Sequence, residues 1–434
     1  MLESVHKPML SFAVRRRDPE LVGPASQTPR ETKRMSGLDN MDVLRMQASL
    51  ALFYRGGEGD DPAAIIRRAL GQALVHYYPL AGRLREIEGR KLVVDCTGEG
   101  VLFVQADADV QLADLEAVGL RPPFPCWDQL LFDVEGSSGT LNCPLLLIQV
   151  TRLLCGGFVL ALRCNHVMCD AIGIAQFMNA VSELARGLPS ISVKPMWCRE
   201  LIEMRNPSNP GTLPDIPEVP MVERSFTVRA SDVAAMKKCL PPLLRDTATT
   251  FEILAAFLWR ARTTALDIPP GEHAPLVIAV NFRGDAGAGI SLPAGYYGNA
   301  VATTTVPADA AVLRRGSLGD AVALVRLAKA AGTTEYFRSM ANGAKVRGLR
   351  SFNPANLLAI SDTRNIGFHR VDFGWGEPVF AGPVSTFFTM CYFIRVKDRD
   401  GEDAFVMPLM LPRLAMDRFA AEVERSLLDD ANHM

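Results

Sequence analysis

The chain has no long apolar run. Its most hydrophobic stretch, Leu141 to Leu162, is broken by Pro144, Gln149, Arg152 and the pair Gly156-Gly157. A membrane-spanning helix needs about 20 largely uninterrupted apolar residues, so this stretch reads as two buried strands instead. An excess of either charge is also missing: 46 Lys and Arg face 48 Asp and Glu. That balance offers no electrostatic footprint for nucleic acid or an anionic membrane, and neither is expected as a partner. The nine cysteines (96, 126, 143, 155, 164, 169, 198, 239 and 391) form no CxxC pair, and their number is odd. They are expected as reduced, mostly buried thiols of a cytoplasmic protein, not as a disulfide framework or a zinc site. The six histidines show neither HExxH nor a pair at helical spacing, so no metal site is expected. MLESVHKPML holds no secretory h-region, and DDANHM no lipidation or peroxisomal signal. No internal repeat is evident.

A chain of 434 residues is too long for one simple core, and two domains of roughly 200 residues are the natural expectation. SLALFY (49–54) reads as a strand. Asp61-Pro62 opens a helix, with Asp as N-cap and Pro at the first helical position. Ile65, Ile66, Ala69, Leu70, Ala73, Leu74 and Tyr77 then recur at helical period, so one face packs on a sheet. KLVVDC (91–96) and VLFVQA (101–106) flank Thr97 to Gly100 and predict a hairpin. Residues 145–154 and 157–164 predict a second one, followed by a helix over 171–186. Residues 193–220 carry six prolines in 28 positions, which forbids a long helix or central strand and predicts an ordered domain crossover. Beyond it come strands at RSFTVRA, LVIAVNFR and TFFTMCYFIRV. Helices are expected near Asp232–Leu240, from the capping box Thr249/Glu252, over 317–332 and from about Pro412 to Leu428. The loop 283–291 is Gly-rich and expected to be mobile. The hairpins imply mixed or antiparallel sheets in two α/β domains, 1–192 and 221–434.

Two short stretches carry chemistry. FVLALRCNHVMCDAIGIAQF places His166 at the end of a buried strand and Asp170 directly before a helix. Asp170 reads first as an N-cap. His166 reads either as a structural histidine or as a general base, since side chains at strand ends in α/β folds face ligand space. No Ser or Cys stands in a nucleophile elbow, so an acyl-enzyme is not implied. The second stretch is Asp372-Phe373-Gly374-Trp375-Gly376. Its glycines allow close backbone approach, in a tight turn or in a loop against which a ligand packs.

Together these stretches resemble the HxxxD and DFGWG signatures of the plant BAHD acyl-CoA-dependent acyltransferases. The resemblance extends through HYYPLAGRLRE, TFEILAAFLWRAR, LPAGYYGNA and ISDTRNIGFHRVDFGWGEP. It is greatest to the alcohol acyltransferase branch, which includes benzyl alcohol O-benzoyltransferases and leaf-alcohol acetyltransferases. FAVRRRDPELVGPASQTPRE, PPFPCWDQLLFDV and MWCRELIEMRNP carry that part. MSGLDNMDVLRM departs from the branch pattern, beside the expected pocket entrance.

The resemblance implies a chloramphenicol acetyltransferase-like fold of two similar-sized α/β domains with mixed sheets and an interface channel. The first domain carries HxxxD, and the second carries DFGWG. It implies acyl-CoA and a small alcohol as substrates, no bound cofactor, and a monomer. It makes His166 the base and pairs Asp170 with Arg283 as structural support. Asp372, Gly374 and Gly376 shape the CoA side, Trp375 lines the channel or donates to an oxyanion, and Thr249, Thr250, Ser361 and Asp362 contact CoA. Alternatives are N-acylation, a hydroxycinnamoyl- or taxane-type acceptor, or a non-catalytic acyl-CoA-binding relative.

Overall fold

The computed structural model describes residues 10–57, 60–202, 218–284, 291–332 and 352–431. Most of the proline-rich crossover and of the Gly-rich loop 283–291 lies outside the described residues, and so do the order and mobility expected of them. The chain forms two compact units that are discontinuous in sequence. One comprises Met1–Glu203, Leu292–Asn299 and Ile366–Val384; the other comprises Met204–Ser291, Ala300–Asn365 and Ser385–Met434.

The first unit receives β1 (Val14–Arg16), β2 (Glu20–Val22), β3 (Thr32–Arg34), β4 (Gln47–Tyr54), α1 (Pro62–His76), β5 (Arg83–Ile87), β6 (Lys91–Asp95) and β7 (Val101–Ala108). It continues with α2 (Leu112–Val118), α3 (Trp127–Leu130), β8 (Leu146–Arg152), β9 (Phe158–Asn165) and α4 (Ala171–Ala185). The second unit takes β10 (Met221–Arg229), α5 (Ala230–Lys238), α6 (Pro242–Thr247), α7 (Thr250–Ala265), β11 (Leu276–Asn281), β12 (Val301–Val306), α8 (Ala310–Arg315), α9 (Leu318–Ala331) and β13 (Leu358–Asp362). β14 (Phe380–Pro383) returns to the first unit, and β15 (Met390–Lys397), β16 (Asp403–Pro412) and α10 (Arg413–Ala431) complete the second.

The first unit is built on a seven-stranded sheet in the order β1-β7-β8-β9-β4-β14, with β2 also on β7, beside a three-stranded sheet β3-β6-β5. Among the strand pairs of the described residues in this unit, β7 and β8 run parallel and the others antiparallel. α1 and α4 cover one face. Ile66, Leu70 and Leu74 of α1 and Ile174, Phe177 and Val181 of α4 share a core with Leu160 and Leu162 of β9. The second unit is a six-stranded mixed sheet, β10-β16-β15-β13-β11-β12. Its main helix, α7, is buried on nearly every side, and Trp259 donates its indole N–H to the Ala274 carbonyl at 2.9 Å.

Two expectations are corrected here. Residues 91–96 and 101–106 do not pair with each other: β6 joins the small sheet and β7 the large one. The turn between them changes sheets. Gly100, at φ +106°, lies where a Cβ would come within 2.4 Å of the Val22 carbonyl oxygen, so the chain threads tightly past β2. The second correction concerns the domain boundary. The stretch with Asp372–Gly376 was expected in the domain 221–434, yet it packs into the first unit. There β14 pairs antiparallel with β4, Phe380 opposite Phe53. β4 is fully buried from Ala51 to Tyr54, so its outer backbone groups need such a neighbour.

Candidate active site

His166 follows the last residue of β9, the strand held between β8 and β4. Its amide donates to the Met46 carbonyl at 2.9 Å. The preceding Asn165 is fully buried and shapes the exit from the strand. Its Nδ2 donates to the Thr140 carbonyl at 3.1 Å, and its Oδ1 accepts the Val167 amide at 3.3 Å. Its own carbonyl accepts the Met168 amide at 3.0 Å, which turns the chain toward α4. Asp170 caps α4, its Oδ1 accepting the Gly173 amide at 3.0 Å, and is 5% exposed. The thiols of Cys164 and Cys169 lie 3.6 Å apart beneath the loop, and the Cys164 contact and burial together push the Cys169 thiol well up. The His166 ring is half-buried, and its Nδ1 is a buried atom with no hydrogen-bond partner. An orphaned buried nitrogen costs about 1–3 kcal/mol, and such atoms mark strained or functional sites.

Residues that the sequence reading did not single out surround this loop. Asn299 donates through Nδ2 to the carbonyls of His166 at 3.0 Å and Val167 at 3.1 Å, and to Asp39 Oδ1 at 2.8 Å. Arg199 donates through Nη1 to Asp39 Oδ2 at 2.7 Å and through Nη2 to the Met168 carbonyl. A usable signal was present in LPAGYYGNA, MWCRELIEMRNP and MSGLDNMDVLRM, which contain these residues. Nothing in their spacing says that they meet.

The Asp372–Gly376 stretch forms a turn closed on its own carboxylate. Asp372 Oδ1 accepts the amides of Gly374 at 2.7 Å and Gly376 at 2.8 Å. Both glycines have positive φ, 111° and 83°, which explains the residue type. Phe373 packs edge-on against Tyr54, and Trp375 lies edge-on to Phe158 with ring centroids 5.3 Å apart. Tyr54 donates to the Val371 carbonyl at 2.7 Å, and Arg186 to the Asp372 carbonyl at 2.7 Å. Phe158 begins β9, whereas His166 follows its end. Eight residues of strand span roughly 26 Å. The expected oxyanion role for Trp375 is therefore corrected: its indole sits at the far end of the strand from the imidazole.

In the second unit, Thr249 caps α7 by accepting the Glu252 amide at 3.3 Å, while Glu252 accepts the Thr249 amide at 3.1 Å. Glu252 also binds Lys329 at 2.8 Å and Arg326 at 3.1 Å. Ser361 and Asp362 end β13, with Asp362 opposite Phe393 of β15. Phe251, in the first turn of α7, packs on that same Phe393. The four expected CoA-contact residues, Thr249, Thr250, Ser361 and Asp362, thus come from one neighbourhood. Asp362 holds the Arg364 guanidinium through two bonds of 2.7 Å. Arg283 follows β11, and its Nη1 donates to Asn281 Oδ1 at 3.2 Å. Among the described residues no three His, Cys, Asp or Glu side chains group to hold a metal, and no helix is long and apolar enough to cross a membrane.

These two α/β units have the architecture of the CoA-dependent acyltransferase fold. The structure superposes on vinorine synthase with a TM-score of 0.75 at 22% identity, covering 94% of this chain and 96% of that one. It superposes on F. sporotrichioides TRI101, complexed with coenzyme A and T-2, with a TM-score of 0.69 at 17% identity, covering 91% and 98%. The sequence model described as the Transferase family matches residues 12–426. Benzyl alcohol O-benzoyltransferase of Petunia hybrida is 44% identical, over 99% of this chain and 97% of its own length. Alcohol acyl transferase 1, allele GSa, of Malus domestica is 42% identical, over 96% and 95%. The chain belongs to this family, the BAHD acyltransferases, and is an acyl-CoA-dependent O-acyltransferase.

Proposed function

We propose that the enzyme moves a benzoyl or acetyl group from its CoA thioester to a small alcohol, such as benzyl alcohol or a leaf alcohol, with His166 as general base. The observation that carries the base assignment is the ring itself: it is half-buried at a strand end and its Nδ1 is buried without a partner. That leaves the Nε2 edge for an incoming hydroxyl. Imidazole is suited to the step because one ring nitrogen can accept a proton while the other carries one. His166 takes the hydroxyl proton as the alcohol oxygen attacks the thioester carbonyl. The tetrahedral intermediate collapses, the carbon–sulfur bond breaks, and the CoA thiolate recovers a proton from the imidazolium. Ester and CoA leave, and no acyl-enzyme forms.

In this reading Asp170 holds the loop as helix cap and as partner of Arg283. Thr249, Thr250 and Ser361 contact CoA, and Asp362 contributes by orienting Arg364, since a carboxylate itself repels phosphate. Asp372, Gly374 and Gly376 keep their turn on the CoA side. The enzyme acts as a cytoplasmic monomer. The substrates are supported by the names of the 44%- and 42%-identical relatives.

The test is CoA release, followed with a thiol reagent. Benzoyl-CoA and acetyl-CoA are each offered with benzyl alcohol, hexenol and a polyamine. Alcohol-dependent release should fall about 10²–10⁴-fold in folded His166→Ala. Release unchanged by that substitution would remove His166 as base, and a polyamine as best acceptor would make the enzyme an N-acyltransferase.

A further inference from the structure

The imidazole of a general base is usually steered through its second nitrogen, which donates to a carboxylate or carbonyl. Here Nδ1 of His166 has no such partner, so hydrogen bonds reach this residue through its backbone instead. That backbone is held by side chains from outside the loop. Three consecutive carbonyls, those of His166, Val167 and Met168, each accept a side-chain donor: Asn299 for the first two and Arg199 for the third. Asp39 ties the two donors together, one carboxylate oxygen on each. It also accepts the amide of Ser36 at 2.9 Å and its hydroxyl at 2.6 Å. Asp39, Arg199 and Asn299 are 0%, 1% and 2% exposed.

We propose that Asp39, Arg199 and Asn299 are positioning residues that fix the loop carrying His166 through its three peptide carbonyls. The proposal rests on the reading of His166 as base. Burying an ion pair carries a desolvation cost that well-packed apolar side chains would avoid, so this pair is retained for geometry. The surroundings are shaped to admit it. Arg199 stacks over Trp197, its guanidinium carbon 4.5 Å from the ring centroid, with Tyr296 and Tyr297 at 5.6 and 5.5 Å. At Gly298 a Cβ would come within 2.3 Å of Arg199 Nη1 and 2.5 Å of the Tyr296 hydroxyl, so only glycine leaves room for the guanidinium. Three chain segments far apart in sequence are thereby committed to one loop.

The test separates rate from binding. Asn299→Leu keeps the shape and removes every donor. Gly298→Ala displaces Arg199 without changing a polar group of the clamp. Arg199→Lys and Arg199→Met compare a retained with a lost donor. In folded protein, Asn299→Leu and Gly298→Ala should lower kcat about 10–100-fold, since a displacement of about 1 Å can cost 10²-fold, while KM for acyl-CoA stays within about three-fold. Arg199→Lys should keep more of kcat than Arg199→Met, and it serves as the readout if Asn299→Leu does not fold. A wild-type kcat in these variants, with His166→Ala inactive, overturns the clamp alone. A wild-type kcat in His166→Ala overturns the base and the clamp with it. A rise in KM matching or exceeding the fall in kcat would make the network a substrate-binding scaffold and overturn the proposal.

Discussion

Glu223 of β10 accepts the Thr386 amide at 3.0 Å, in surroundings whose burial pushes its pKa up to about 7. The unfolded chain gives up this proton near pH 4.3, while the folded chain holds it to about 7. Stability contributed below that lower pH is therefore lost as pH rises toward 7, then levels off. Glu223→Gln keeps an acceptor for Thr386 and has no proton to lose. Its stability should match wild type at pH 4 and exceed it at pH 7.5, by on the order of 1–2 kcal/mol after allowing for partial solvent screening. Thermal melts across that range check it. At the same scale, His166 and Asp170 were legible because their signal is local: a strand end, then a cap beside its helix. Asp39, Arg199 and Asn299 were not. Their partners lie 160 and 260 residues away along the chain, and each alone reads as an ordinary polar residue.

Among the elements, α4 shows how a helix carries the site. Its cap is Asp170, and its third residue, Gly173, faces the Tyr297 carbonyl so closely that a Cβ would lie 2.0 Å from that oxygen. Gln176, one turn on, donates to the Gly295 carbonyl at 3.0 Å. Gly173→Ala must push the helix off this segment. A loss of about 1–3 kcal/mol is expected from overpacking, seen as a lower urea midpoint, with CoA release reduced as well because the His166 loop enters α4. The helices followed their sequence signals well: Asp61, Thr249 and Ser317 cap where capping chemistry places them. Strands were harder. β16 is ten residues long yet was not singled out, and it contains Pro408. Its ladder to β15 ends at Val406, and Pro408 pairs only across to Ser225 of β10. A proline is tolerated there because no second neighbour needs its missing N–H.

The whole molecule assembles its first unit from three separate pieces of chain. Residues 1–203 expressed alone would lack β14, leaving the buried strand β4 as a bare edge, and would lack Asn299, leaving the Asp39–Arg199 pair without its third member. That fragment should be aggregation-prone and rapidly digested by protease, whereas the full chain should resist. A protease-resistant, cooperatively melting fragment would contradict this. Sequence by itself determined the class of the protein: caps, strand periods and the two signature stretches are encoded within a few residues each, and balanced charge removed competing partners. Tertiary structure alone decided which strand joins which sheet, that the Asp372–Gly376 turn belongs beside β4 at the far end of β9 from His166, and that three distant polar residues meet at the loop that carries His166. Sheet assignment and buried polar networks depend on contacts between segments far apart in the chain, and no local pattern of side chains records them.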